Sequence, residues 1–361
     1  MIMRLKKDSS EQKLRGAYYT PLQLANAMVI LVASQNITSV LEPSCGDGVF
    51  LDSLASLNLI NDIPNITAVE IEPDEAEKVG NNYKDNANVH VLNEDFLDFY
   101  QRVYGKETYD LILGNPPYIR YQYLTEEQRE IQSSILTSHG MKSNKLINAW
   151  VAFLVACVQL LSENGKIAFV IPAEILQVVY AEDLRLFLSN QLSKITLLTF
   201  EQLVFPDIEQ EILVFIGEKG KKEKGIRIIE LSNLEDFRKL DLNSNGFQKL
   251  KHVKEKWTKY FVSAEEIKVI QSIRDDKRFT KFADLALINV GITTGNNTYF
   301  SVDKTTNERY DLTSVTLPLI GRSSHAHGIY FTDKDWQENI KADKRKGTNM
   351  ISASNISLRV G

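Results

Sequence analysis

Two cysteines, Cys45 and Cys157, are all that the 361 residues contain. So few thiols, so far apart, exclude a disulfide framework and a thiolate zinc site. Histidine is scarce as well, with five residues, and the His325-Ala326-His327 pair has no neighbouring cysteine or acid. We read that pair as loop and expect no metal. Long apolar runs are missing too. The longest, 149-AWVAFLVACVQLL-161, is too short to cross a bilayer and has no basic anchors beside it. The opening MIMRLKKDSSEQK lacks the apolar core of a signal peptide. The expectation is a cytoplasmic protein away from membranes. Basic charge is also short in one part of the chain. Residues 1–218 hold 16 Lys and Arg against 29 Asp and Glu, whereas residues 219–361 hold 26 against 18. Such a division predicts that the second part meets a polyanion while the first holds a different ligand.

What is present is an alternation of short apolar runs and helical patterns, on a composition that is 43% hydrophobic. Strands are expected at 39–42, 66–71, 89–92, 109–113, 166–171, 194–200 and 211–216, and helices at 49–57, 73–82, 146–161 and 181–192. Near-continuous Val, Ile and Leu in the strands implies a parallel sheet covered on both faces, an α/β fold. The stretch 211-EILVFIGEKGKKEKGIRIIEL-231 joins two apolar runs through a charged, glycine-punctuated turn, which predicts a terminal antiparallel hairpin. Residues 119–145 show no clear pattern. After Leu231 the composition turns Lys- and Asn-rich, with strand-like pieces at 287–295, 315–322 and 328–331. This divides the chain into domains at 1–235 and 236–361.

Three strand ends carry acids. In 41-LEPSCGDGVFL-51 a strand turns into a helix through Gly46 and Gly48, where small residues let backbone approach a ligand. A dinucleotide site is the rival reading. The spacing is not G-x-G-x-x-G, however, and Glu42 and Asp47 would repel a pyrophosphate. They suit a ligand with positive charge, such as the ammonium and sulfonium of S-adenosylmethionine. Glu70, in 69-VEIEP-73, can accept from ribose hydroxyls, or it is a solvated acid at a strand end. In 93-NEDFLD-98, Asp95 can accept from an adenine amino group while Phe96 packs on the ring.

The fourth stretch, 111-LILGNPPYIRYQ-122, leaves a strand through two prolines that set a stiff loop. An aromatic amine is a poor nucleophile because its lone pair is delocalised into the ring. Two acceptors aimed at its N–H groups, the Asn115 side-chain oxygen and the Pro116 carbonyl, would free that pair, with Tyr118 stacking on the base. This is electrostatic preorganisation, and no covalent nucleophile is required of Cys45.

In the order 16-GAYYTP-21, LEPSCGDGVF, VEIEP, NEDFLD and GNPPY, the chain resembles the gamma-class N6-adenine DNA methyltransferases of bacterial restriction–modification systems. The resemblance is strong over residues 16–217 and looser beyond. It implies a Rossmann-like S-adenosylmethionine-dependent fold with a smaller C-terminal target-recognition domain, compact or truncated by the family's measure. It implies that Tyr19, Thr20, Glu42, Ser44, Gly46, Asp47, Glu70, Ile71, Asp95, Phe96 and Asn115 line the cofactor site. Asn115, Pro116 and Tyr118 would hold the target adenine. In 203-LVFPD-207, Phe205 would stack on the opposite face of a base flipped from double-stranded DNA. Lys277, Arg278, Lys281 and Arg322 would contact that DNA, or they are solvated surface charges. No nuclease motif precedes residue 16, so this chain is expected not to cut DNA; among partners the resemblance admits a separately encoded restriction endonuclease. Two other readings stay open: methylation of a protein glutamine or of RNA through the same loop, and a DNA-binding module with a vestigial catalytic fold.

Overall fold

The computed structural model describes residues 20–34, 36–201, 211–220, 223–237, 240, 246–250, 255–262, 264–287, 297–318, 332–341 and 349–351. Tyr19, Phe205, Arg322, His325 and His327 therefore lie outside the described residues. Two compact units divide the chain, residues 1–271 and residues 272–361.

In the first unit the apolar runs become β1 (Ser39–Glu42), β2 (Asn65–Glu70), β3 (Val89–Asn93), β4 (Tyr109–Gly114), β5 (Leu161–Pro172), β6 (Lys194–Phe200), β7 (Ile212–Glu218), β8 (Gly225–Leu231) and β9 (Gln248–Lys249). They form one sheet in the order β3-β2-β1-β4-β5-β7-β6-β8-β9. The pairs from β3 through β5 are parallel, with Leu41 opposite Thr67 on one side and Ile112 on the other. Strand β7 runs antiparallel to both β5 and β6. Chain order reverses direction between β1 and β4, and in an open α/β sheet the crevice beyond the carboxyl ends of such strands is where ligands sit.

Helices α1 (Leu22–Val32), α2 (Val49–Ser56) and α3 (Pro73–Asn82) cover one face of this sheet. Their Met28, Phe50 and Val79 bury against Val40, Leu111 and Val170. Helices α4 (Phe96–Val103), α5 (Glu126–Ser138), α6 (Ala149–Gln159) and α7 (Glu182–Gln191) cover the other face. Their Phe99, Leu136, Trp150 and Leu188 bury against Leu41, Ile112 and Ile171. Neighbours such as Val40 and Leu41 thus serve opposite cores, as the strand period of two requires. The apolar run of 149–161 yields a helix buried from Ala149 through Val158, which is why it is apolar all round. No described helix is long and apolar enough to cross a membrane.

Two expectations are corrected. Strands β7 and β8 do not form a hairpin: β8 pairs parallel with β6, which lies between them. Physically, the middle of β6 and of β7 is buried on both faces, so both are inner strands, whereas β8 has partly exposed positions suited to a place nearer the sheet edge. The segment 119–145 does have a pattern. It contains α5, opened by a capping box in which the Thr125 side chain accepts from the Gln128 amide and Gln128 accepts from the Thr125 amide.

The second unit holds a three-stranded antiparallel sheet, with β12 (Asn349–Ile351) between β10 (Ser301–Val302) and β11 (Thr316–Pro318). Asp303 caps the helix Lys304–Arg309 by accepting from Thr306 N at 2.7 Å.

At the amino end of the first sheet, Asp110 ties three strands. Its Oδ2 accepts from the Thr38 amide at 2.9 Å and the Thr38 hydroxyl at 2.7 Å, and its Oδ1 accepts from Ser162 Oγ at 2.8 Å. Burial works against the charge, but these donors outweigh it and hold the Asp110 carboxyl below its ordinary range. A depressed carboxyl stabilises the fold above its unfolded value, near pH ~3.9, and that contribution fades as pH falls through the lower folded value. Asp110→Asn should cost about 1–2 kcal/mol at neutral pH. It should also flatten the acid limb of the stability curve, measured by urea denaturation across pH.

Candidate active site

Parallel pairing brings the carboxyl ends of β1, β2, β3 and β4 to one edge of the sheet, so loops far apart in sequence meet there. Beyond β1 the chain turns through Gly46 at φ 53° and Gly48 at φ 86° before entering α2. Both values lie in the left-handed region that glycine adopts without strain. A Cβ on Gly48 would also stand 3.1 Å from Val79.

The Glu70 carboxylate, at the end of β2, accepts from the Gly46 amide at 2.7 Å and from the Glu72 amide at 2.9 Å. Burial raises its pKa while those two amides oppose the rise. The main chain of Glu70 is held as well: its carbonyl accepts from Asn93 Nδ2 at 2.9 Å and from the Glu94 amide at 3.1 Å. Immediately beyond, Ile71 leaves its side chain 51% exposed, an aliphatic surface beside an acid. Asn93 was missed in the sequence; its only signal is its place at a strand end.

Glu42 is 2% exposed, and its Oε2 has no hydrogen-bond partner among the described residues. Burial, then the charges of Asp47, Glu70 and Asp52, push its carboxyl well above the usual range, against one donor, the Phe50 amide. Half-buried Asp47 is raised by burial and partly relieved by Lys78. Thr20, just ahead of α1, has a buried hydroxyl with no partner among the described residues. Burial among these acids also pushes the Cys45 thiol up, which keeps it protonated and removes it as a nucleophile.

Asp95 is the N-cap of α4. Its Oδ1 accepts from Leu97 N at 2.8 Å, and its Oδ2 accepts from Gln128 Nε2 at 2.7 Å. Phe96 is buried, its ring 4.8 Å from that of Phe153. Gln128 is the second residue the sequence reading missed. Its signal was the Thr125-Glu126-Glu127-Gln128 spacing of a capping box.

The loop after β4 adjoins the loop after β1: Ser44 Oγ donates to the Asn115 carbonyl at 3.4 Å. Pro116 is buried and Asn115 half-buried. Tyr118 is 8% exposed and donates its hydroxyl to the Val170 carbonyl at 3.0 Å. A base stacking on that ring needs the ring to turn out, at the cost of a hydrogen bond worth about 1 kcal/mol net. In the second unit Lys277, Arg278 and Lys281 are exposed. Arg278 is engaged by its neighbour Asp276, with Nη2 2.6 Å from Oδ2.

Residues 49–205 match the family model of the Eco57I restriction-modification methylase, and residues 254–358 match that of the C-terminal domain of the type II methyltransferase M.Eco57I. Similar curated proteins include the type II methyltransferase M.AccI of Acinetobacter calcoaceticus, 27% identical over 348 residues, which are 92% of this chain and 62% of that protein. Another is the type II methyltransferase M.HindII of Haemophilus influenzae, 28% identical over 314 residues, 82% of this chain and 57% of that protein. The chain thus spans about three-fifths of the length of these relatives. Among solved structures, that of a DrdV–DNA complex superposes with a TM-score of 0.61 at 13% identity, over 85% of this chain and 38% of that one. The fold is accordingly the Rossmann-like methyltransferase fold, with its antiparallel strand between β5 and β6 and a C-terminal domain following.

The unmatched Glu42 charge makes a direct prediction. A carboxyl raised by folding contributes nothing below its unfolded value, near pH ~4.3, and becomes a growing penalty as pH rises from there until the folded group itself ionises. Glu42→Gln should therefore stabilise the ligand-free protein by on the order of 1 kcal/mol at pH 7. The stability curve should also lose part of its decline above pH ~4.3, as scanning calorimetry across pH would record.

Proposed function

We propose that this chain, which is similar to the Eco57I restriction-modification methylases over residues 49–205, transfers a methyl group from S-adenosylmethionine to N6 of an adenine flipped out of a specific duplex DNA sequence. The observation that carries the reading is the contact of Ser44 with Asn115, in which the loop after β1, close to Glu42 and Asp47, meets the proline-stiffened loop after β4. The residues present fit such a cofactor. Among the described residues, Glu42 has a buried carboxylate oxygen without a donor, and Thr20 has a buried hydroxyl without a partner. Glu42 and Asp47 would favour its positive charge, Glu70 its ribose hydroxyls, Ile71 and Phe96 the faces and edge of its adenine, and Asp95 the adenine amino group. When bound, S-adenosylmethionine supplies a methyl carbon activated by its sulfonium.

The chain's own contribution is to make an inert amine reactive. Asn115 Oδ1 is a buried acceptor, and the Pro116 carbonyl is held in orientation by Pro117. Aimed at the two N–H bonds of the target amino group, they draw its nitrogen toward a tetrahedral shape and return the lone pair from the ring. The surplus proton passes to solvent after transfer. Being fixed before the substrate arrives, the two acceptors need no reorganisation as charge develops. Tyr118, turned out from its seat on Val170, stacks on one face of the flipped base and Phe205 on the other. Two aromatic faces offset an unstacking cost of a few kcal/mol. The basic second part, with Lys277, Arg278, Lys281 and Arg322, meets the phosphates. The reading extends to a cytoplasmic place of action and a separately encoded endonuclease that cuts the same sequence when unmethylated.

Incubation with tritiated S-adenosylmethionine and duplex DNA should put label on adenine N6. Label on a release-factor glutamine or on RNA, with none on DNA, would overturn the proposal. Asn115→Ala should lower kcat by about 10²–10³-fold, the range for removing one preorganised hydrogen-bonding group, while calorimetry finds cofactor affinity little changed. Equal losses in both would refute the role given to Asn115.

A further inference from the structure

The contact between Asp95 and Gln128 links the acid after β3 to the segment that follows the proline loop. A side-chain amide can present either end, and its orientation is set by its partners. Here the capping box fixes it: Gln128 Oε1 accepts from the Thr125 amide at 3.1 Å, so Nε2 faces Asp95 Oδ2 at 2.7 Å. That length is characteristic of a donor meeting a charged acceptor. The other Asp95 oxygen is held by Leu97 N at 2.8 Å. The carboxylate is thus clamped from both sides, and Oδ2 retains one further lone pair. On the next residue, Arg129 Nε donates to the Tyr121 carbonyl at 3.1 Å and Nη2 to the Gln122 carbonyl at 2.9 Å. The first turn of α5 is therefore fixed to the chain leaving the proline loop as well as to Asp95.

We propose that Gln128 is a positioning residue: it holds Asp95 so that the remaining Oδ2 lone pair receives an amino hydrogen at position 6 of the cofactor's purine. The inference rests on the methyltransferase reading and deepens it, by assigning discrimination of an amino from a carbonyl purine to a residue outside the recognisable motifs. A residue that only capped α5 would support every ligand of the pocket equally. A residue that aims an acceptor supports adenosyl ligands and does nothing for inosyl ones, whose position 6 carries a carbonyl with no hydrogen to give.

The test is calorimetric binding of S-adenosylhomocysteine and S-inosylhomocysteine to the wild type, Gln128→Ala and Gln128→Glu. Glutamate retains the reciprocal bond to the Thr125 amide and so keeps the helix capped, but it has no hydrogen to give Asp95. Wild type should prefer the adenosyl ligand by about tenfold or more, the worth of one hydrogen bond to a charged group. Both variants should lose most of that preference, through weaker adenosyl binding with inosyl affinity little changed. An undiminished preference in Gln128→Glu, or an equal loss for the two ligands in both variants, would overturn the role of Gln128 while leaving the cofactor reading intact. Failure of the wild type to bind either ligand would overturn the cofactor reading itself, and this inference with it.

Discussion

The carboxylate of Glu70, gripping the amides of Gly46 and Glu72, is the interaction on which the geometry of the site depends. It takes two main-chain donors from different loops and makes them the wall of one cleft. Because the amides are fixed donors, the side chain is oriented before any ligand arrives. The left-handed turn through Gly46 and Gly48 is what allows the first loop to come that close. Asn93 secures the same point from β3, so three strand ends are bound together at a single acid.

Around that anchor the sheet imposes a division of labour. Strand β1 has β2 on one side and β4 on the other, so the loops after β1 and β4 are neighbours although some seventy residues of chain separate them. One loop is rich in negative charge and the other in fixed acceptors. Neither needs a mobile lid to meet the other, because both leave parallel strands at the same height. The cores beneath are apolar on both faces, and polar groups are concentrated at the rim, where the strands run out of hydrogen-bonding partners.

Much of this was legible in the sequence because strand runs with little polar content and acids at their ends leave few arrangements. The ends of β1, β2, β3 and β4 fell within a residue of expectation, and Glu42, Glu70, Asp95 and Asn115 all lie at the carboxyl rim. What was not legible depended on partners rather than on pattern. The pairing of β8 with β6 instead of β7 is decided by which strands can bury both faces, a tertiary property. Helix α5 was overlooked because its charged surface masks its period, although its capping box was present in Thr125 and Gln128. Tyr118 and Phe96 were expected to pack on ligand rings, and pattern alone did not foretell that the core would enclose them so far.

The crowding of Glu42, Asp47 and Glu70, whose carboxyls are all raised by burial, has a consequence for the stability of the ligand-free protein. Folding must hold this charge in poor solvent, whereas the unfolded chain hydrates it. Any positively charged occupant of the cleft is bound by the native form alone and shifts the balance by mass action. Occupancy of the site by such a ligand and the stability of the native form are then two readings of one equilibrium.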